Sequence, residues 1–359
     1  MVFPQELYDL VASFIPTSDK VTLRSLSIAS HACHAAAAPH LFYNVEVATR
    51  ERQERFYQLL LSDEGLKISR LIREYSITIR EDDVRSGLPY THTAAALARM
   101  QRLCKLRLNR VRFPKAVLSS GQILSSTNSS WCLPALRELQ WPDFGIEHDL
   151  ISFLKHCPAL ETLHLLTWQG PPPPSNILPK LQKLTGDSSV ALAFLPGRHV
   201  EDVEIDPPCA ESFAEFVTYL SHHPEDVTPH IRRLSIPKFE TESFIPDPLM
   251  SILPCLPHLE RLQVCTTQLR SVVPHTQMLE NLIQLVLVHE PDIFDPAGFE
   301  EFSFNGTKRL WCARIYKAFS RTPLGKRSSD ACLEFWMLDE MCGRWQRCKD
   351  GSKLVSLDT

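Results

Sequence analysis

Nowhere in the 359 residues does an uncharged apolar run approach the ~20 residues that a membrane span needs. Positive charge is not in excess either. The 38 Lys and Arg stand against 42 Asp and Glu, a formal net charge of −4, so no field gathers DNA, RNA or anionic lipid. A signal peptide would place basic residues and then an unbroken apolar core at the start; Pro4, Glu6 and Asp9 stand there instead, and export is not expected. The 11 cysteines are scattered, odd in number and never spaced Cys-x-x-Cys. Without export they are expected to be reduced thiols of a cytoplasmic or nuclear protein. Gly-x-Ser-x-Gly, a phosphate-binding loop and His-Glu-x-x-His are all missing, so no catalysis, cofactor or metal is expected. His31-Ala32-Cys33-His34 offers three ligand types but no fourth nearby, and reads as packing and surface positions.

What is present is a folded composition, 44% hydrophobic and 22% charged, carrying one recurrent pattern. Six-residue runs are apolar at positions one, four and six: Ile72–Ile77, Leu103–Leu108, Leu136–Trp141, Leu160–Leu165, Val200–Ile205, Ile231–Ile236, Leu259–Val264 and Leu282–Leu287. A weaker copy starts at Leu181 and ends on Gly186. The intervals are irregular, roughly 19 to 33 residues. Several copies follow an amphipathic helix and a proline or turn: Leu150–His156, Ser212–Leu220 and Leu249–Leu253 are such helices. Helix then strand, repeated, predicts parallel strands that bury an apolar face only by stacking. Another helix is expected over about 51–62, with Phe56, Leu59 and Leu60 on its apolar face. Ser119–Ser130 reads as a loop, and Gly170-Pro171-Pro172-Pro173-Pro174 as a stiff connector. Past Glu290 the repeat fades. Arg309–Phe319 looks helical, Leu333–Leu338 is ambiguous, and Lys349-Asp350-Gly351-Ser352 carries a hairpin-turn signal, together suiting a capping segment.

The chain begins differently. Pro4 suits a helix start, and Leu7, Leu10, Val11 and Phe14 fall at i, i+3, i+4 and i+7. Thr17-Ser18-Asp19 offers N-cap chemistry for a second helix with Val21, Leu23 and Leu26, and Pro39 is expected to end a third, Ala-rich helix. Three short helices in about forty residues cannot bury a full core of their own. Three pieces stand in order here: Phe3-Pro4-Gln5-Glu6-Leu7, Leu26-Ser27-Ile28-Ala29-Ser30 and Pro39-His40-Leu41-Phe42. They resemble an F-box, with Phe3 where that family has Leu. The repeats resemble a degenerate leucine-rich-repeat array, and the combination is similar to large fungal families of F-box receptors. Asparagine is missing eight residues after the first Leu (Val111 holds that place after Leu103), so an irregular array is expected.

The fold class expected is therefore α/β: a three-helix F-box over residues 1–47, a solenoid of parallel strands and outer helices over 48–290, and a capping segment over 291–359. The resemblance implies a substrate-recognition subunit of an SCF-type cullin-RING ubiquitin ligase. Its F-box would dock a Skp-family adaptor, and through it the cullin, while the repeats hold a target protein. The adaptor-docking set would be Phe3, Pro4, Leu7, Leu10, Val11, Leu26, Pro39, Leu41 and Phe42. The alternative is a non-catalytic repeat scaffold without a ubiquitin role. Positions three, five and seven of each repeat strand point away from the core and form the candidate target face. They include Lys105, Arg107, Glu138, Gln140, His164, Arg233 and Arg261, with Asp202, Glu204 and Asp206 as one acidic stripe.

Overall fold

The computed structural model describes residues 3–47, 49–79, 91–110, 132–141, 147–205, 210–222, 230–236, 252–265, 281–289, 332–337, 340–347 and 354–356. The chain divides into two compact units, Met1–Leu165 with Asn176–Leu181, and Leu166–Ser175 with Gln182–Thr359.

The first unit opens with three helices: α1 (Gln5–Ser13), α2 (Lys20–Ala29) and α3 (His31–Leu41). Asp19 caps α2 by accepting from the Thr22 amide at 3.1 Å, and Ser30 caps α3 by accepting from the Cys33 amide at 3.1 Å. Pro39 does not end α3. It sits in the last turn, where one amide is missing, and the helix runs on to Leu41. Lys20 Nζ reaches across to the end of α3, donating to His40 O at 3.3 Å and Leu41 O at 2.8 Å. Burial pulls the pKa of this ammonium down, with Arg24 adding to the effect.

Strands β1 (Asn44–Val47), β2 (Glu74–Ile79), β3 (Lys105–Arg110), β4 (Glu138–Trp141) and β5 (Thr162–Leu165) then pair in parallel, each with the next. Between them lie α4 (Arg50–Leu61), α5 (Gly65–Ser69), α6 (Thr91–Arg99) and α7 (Glu147–Leu154). The apolar spacing is confirmed residue by residue. Ile72, Tyr75, Ile77, Leu103, Leu106, Leu108, Leu136, Leu139, Trp141, Leu160, Leu163 and Leu165 are all buried. Of the expected face of α4, Leu60 is buried and Phe56 half-buried, but Leu59 is exposed; Gln53 and Tyr57 are the other buried residues. Gln53 bridges two strand ends, its amide donating to Val47 O at 3.1 Å and Thr78 O at 3.0 Å. Tyr57 meets Tyr75, whose hydroxyl donates to it at 3.0 Å.

The second unit continues the same plan. It holds β6 (Lys183–Gly186), α8 (Ser188–Phe194), β7 (Asp202–Ile205), α9 (Ala210–His222), β8 (Arg233–Ile236), β9 (Arg261–Cys265), β10 (Gln284–His289) and β11 (Cys332–Met337). These strands pair in parallel in chain order. The ambiguous run near Leu333 is thus a strand. It is followed by antiparallel β12 (Glu340–Arg347) and β13 (Leu354–Ser356), so the ladder stops being parallel there. Of the helix expected at Leu249–Leu253, residues 249–251 lie outside the described residues, Ile252 is helical, and a 3-10 turn, Leu253–Cys255, follows. Arg309–Phe319, Ser119–Ser130 and Lys349–Ser352 lie outside the described residues.

The polyproline run is fastened from within this unit. Arg198, buried, donates to Pro173 O at 2.9 Å, Pro174 O at 2.7 Å, Phe194 O at 3.1 Å and Pro196 O at 3.3 Å. A planar guanidinium carries five N–H donors in a fixed fork, so one side chain can serve several carbonyls at once. Trp168 packs edge-on against Phe194, with centroids 5.1 Å apart, and its Nε1 donates to Pro171 O at 3.3 Å.

Two substitutions test these joints. At Gly65 an added Cβ would lie 1.9 Å from Leu59 O and 2.6 Å from Leu60 Cα, both backbone. Gly65→Ala is expected to lose at least ~2 kcal/mol in urea unfolding, since the end of α4 must move. Arg198→Met keeps the stem but removes the donors from four carbonyls; a loss of about 3 kcal/mol is expected in the same measurement. A loss within experimental error for Arg198→Met would mean that water replaces the guanidinium.

Candidate binding surfaces

The first candidate surface is made by α1 and α2. Helix α1 is amphipathic as expected, yet its apolar stripe faces solvent. Leu7, Leu10, Val11 and Phe14 are 46%, 52%, 52% and 78% exposed, and Phe3 is 55% exposed. The buried residue of α1 is Ala12. The three helices meet through small or short side chains, with Ala12, Leu23, Cys33, Ala36 and Ala37 all buried. Gln5 adds a tie from α1 to α3, donating to Ala32 O at 3.2 Å. On α2, Val21 and Ile28, seven residues apart and so on one face of that helix, are 74% and 85% exposed. The candidate docking set divides accordingly. Phe3, Pro4, Leu7, Leu10, Val11 and Pro39 are exposed, while Leu26, Leu41 and Phe42 are half-buried. Val21, Phe14 and Ile28 were missing from that set. The spacing of Phe14 already placed it on the stripe, but nothing in the sequence says which face of α2 is covered.

The second candidate surface is the polar face of the repeat strands, described separately in each unit. On β4, β5, β7 and β8 buried and less buried residues alternate, so the polar positions lie on the face opposite the core. In the first unit, Lys105 stands in register with Glu138, and Glu138 with Thr162. Glu138 pairs with Lys105 through one oxygen and meets Arg107 Nη2 at 3.4 Å through the other. Gln140 and His164 stand opposite each other on β4 and β5.

In the second unit the acidic stripe is corrected. Lys183 Nζ lies 3.7 Å from Asp202 and 3.4 Å from Glu204, and Arg233 reaches Asp202 at 4.0 Å. The parallel register places Lys183, Asp202 and Arg233 side by side, so cations of the flanking strands neutralise the carboxylates. Asp206 lies outside the described residues; Arg261 stands in register with Arg233.

The remaining candidates do not assemble chemistry. Among the described residues no group of three or more His, Cys, Asp or Glu is placed to hold a metal ion. Cys33 is buried in α3 while His31 and His34 are exposed. Burial pushes the Cys157 thiol far above its ordinary range, the opposite of an activated nucleophile. His222 is held at the end of α9 by Thr218 O at 2.7 Å. No helix among the described residues is long and apolar enough to cross a membrane.

The ion pairs of the polar face are partly exposed, and such pairs are worth ~0–1 kcal/mol. Glu138→Gln is expected to change unfolding free energy by no more than ~1 kcal/mol, with the difference vanishing in high salt. A loss of several kcal/mol would make Glu138 a structural residue and remove it from the candidate surface.

Comparison with known proteins adds little. No family model matches the chain, and no curated protein matches it. Among solved structures, the leucine-rich repeat-containing protein LegL7 from Legionella pneumophila is similar at 13% identity and a TM-score of 0.44, over 87% of this chain and 92% of that one. A likeness that low carries no argument, and the repeat architecture rests on the strand ladders and buried apolar positions of the chain itself.

Proposed function

We propose that the chain is a substrate-recognition subunit of an SCF-type cullin-RING ubiquitin ligase. Helices α1 to α3 dock a Skp-family adaptor, and the polar face of the repeats holds a target protein. The chain itself performs no bond chemistry. Its contribution is proximity: a lysine of the tethered target meets the ubiquitin-charged enzyme at high effective concentration. The observation that carries this reading is the exposed apolar stripe of α1. An amphipathic helix that served only to cap the repeats would turn Leu7, Leu10, Val11 and Phe14 inward; here they face solvent. The three ordered motif pieces of the first 42 residues support the same reading.

A second reading, a repeat scaffold without a ubiquitin role, is favoured by one feature. Helices α1 to α3 belong to the same compact unit as β1 to β5, and the Arg73 and Glu74 amides both donate to Tyr43 O, just after α3, at 3.0 and 2.9 Å. A helical cap would be joined in this way.

Binding to a recombinant Skp-family adaptor separates the two. A central apolar anchor cut to Ala typically costs at least ~2 kcal/mol, so Pro4→Ala with Leu7→Ala should weaken adaptor binding about thirtyfold or more. Both residues are exposed, so the double variant should keep its fold. Unchanged affinity in a folded double variant overturns the assignment of the α1 stripe. Absence of binding by the folded wild-type protein overturns the adaptor reading and leaves the scaffold.

A further inference from the structure

His199 and His230 stand just ahead of β7 and β8, each three residues before a pair of strand residues in register, Asp202 and Arg233. Their rings meet edge to face with centroids 4.0 Å apart and Nδ1 atoms 3.2 Å apart. This contact joins two consecutive repeats of one unit. It lies beside the Glu201 carbonyl, which accepts from both the Arg232 and Arg233 amides at 2.9 Å. It belongs to neither candidate surface described above.

We propose that His199 and His230 form a proton-sensitive clip between the β7 and β8 repeats, closed while one ring is neutral and opened when both are imidazolium. A neutral ring offers the other a nitrogen and a π-face. Two imidazolium rings would set two N–H donors against each other with no acceptor between them and two like charges ~4 Å apart. Among the described residues the charges acting on His230 are His199, which disfavours its proton, and Glu201, which favours it. Burial is the largest influence and disfavours the proton, and the net effect holds His230 below the ordinary imidazole value of 6.5. The neighbouring arginines are engaged elsewhere. Arg198 turns inward to its carbonyls, and Arg232 pairs with Glu260 at 3.0 Å. His258 holds the equivalent place before β9 and is exposed.

The sign follows from linkage. A histidine whose folded pKa is lowered contributes stability that is fully present above the unfolded value of 6.5 and is lost as pH falls through the folded value. Opening the clip loosens the start of β8, where Arg233 meets Asp202 on the polar face. Acidification therefore reaches a face that the adaptor-docking helices do not share, and the inference stands whether or not those helices dock an adaptor.

The test is a ring-proton NMR titration of the full chain beside His199→Asn and His199→Phe. Phe keeps a ring against His230 but takes no proton. His230 is expected to titrate below 6.5 in the wild type and to move up toward 6.5 in both variants. Urea midpoints taken between about pH 7 and pH 5.5 should fall less in His199→Phe than in the wild type. A His230 midpoint that stays put in both variants, or an equal fall of the urea midpoints, overturns the clip.

Discussion

The repeats are held in step by one backbone contact made over and over. In seven of the repeats the residue at the second position gives its carbonyl to two amides of the next, at positions two and three. Arg73 O accepts from Cys104 and Lys105, Cys104 O from Arg137 and Glu138, and Arg137 O from Glu161 and Thr162. In the other unit Gln182 O, Glu201 O, Arg232 O and Glu260 O do the same. A buried backbone group without a partner costs as much as a lost hydrogen bond, so this contact fixes where each strand starts. Because it is made by main chain, it tolerates the varied side chains at position two and the irregular distance to the next repeat. Loop length adds little entropy cost once both ends are held. No asparagine is needed for the purpose, which accounts for a regular ladder in a sequence without that ladder residue.

The first three helices solve a different problem with the same economy. Alanines at positions 12, 36 and 37 let α1 and α3 approach closely, and the apolar bulk that would otherwise fill the space is left outside. An unpartnered face of this kind is unfavourable for a free monomer, since exposed apolar area forgoes roughly 25 cal/mol per Å². The polar tethers from Gln5 and Lys20 hold the helices in place without it. The scaffold and the exposed stripe are thus independent, so a change on the stripe need not disturb the packing behind it.

What the sequence disclosed was periodicity. The one-four-six spacing located strands and core because a strand half-buried against helices must alternate, and every position of that pattern whose burial is described is buried. What it concealed was register and company. Gln53 does not read as buried, because only the approach of two strand ends gives its amide two acceptors. Pro39 reads as a stop, yet α3 continues past it to Leu41 and forgoes the one hydrogen bond its missing amide would have given to the Ala35 carbonyl. Asp202 and Glu204 read as a bare acidic stripe until the strands beside them are aligned. The contact of His199 with His230 is likewise invisible, since the two rings are 31 residues apart and meet only through the pairing of β7 with β8. Of the candidate surfaces, the α1 stripe was legible as a pattern, and its exposure was implied only through the F-box resemblance.

The neutralised charges bear on how the polar face could recognise a protein. Lys105 and Arg107 share Glu138 and leave one positive charge over, while Lys183 and Arg233 together balance Asp202 and Glu204, so little net charge is seen a few ångströms away. Such a face steers a partner weakly at a distance, because opposite charges cancel within a Debye length. At contact the balance changes. Exposed pairs are worth little to the fold, so a partner that offers better-placed opposite charges can replace them at small cost, whereas a misaligned partner strands a desolvated ion. Selectivity then resides in the pattern of alternating charges rather than in net charge. That pattern is written by the register of the strands, and the register by the same second-position carbonyls that hold the repeats together.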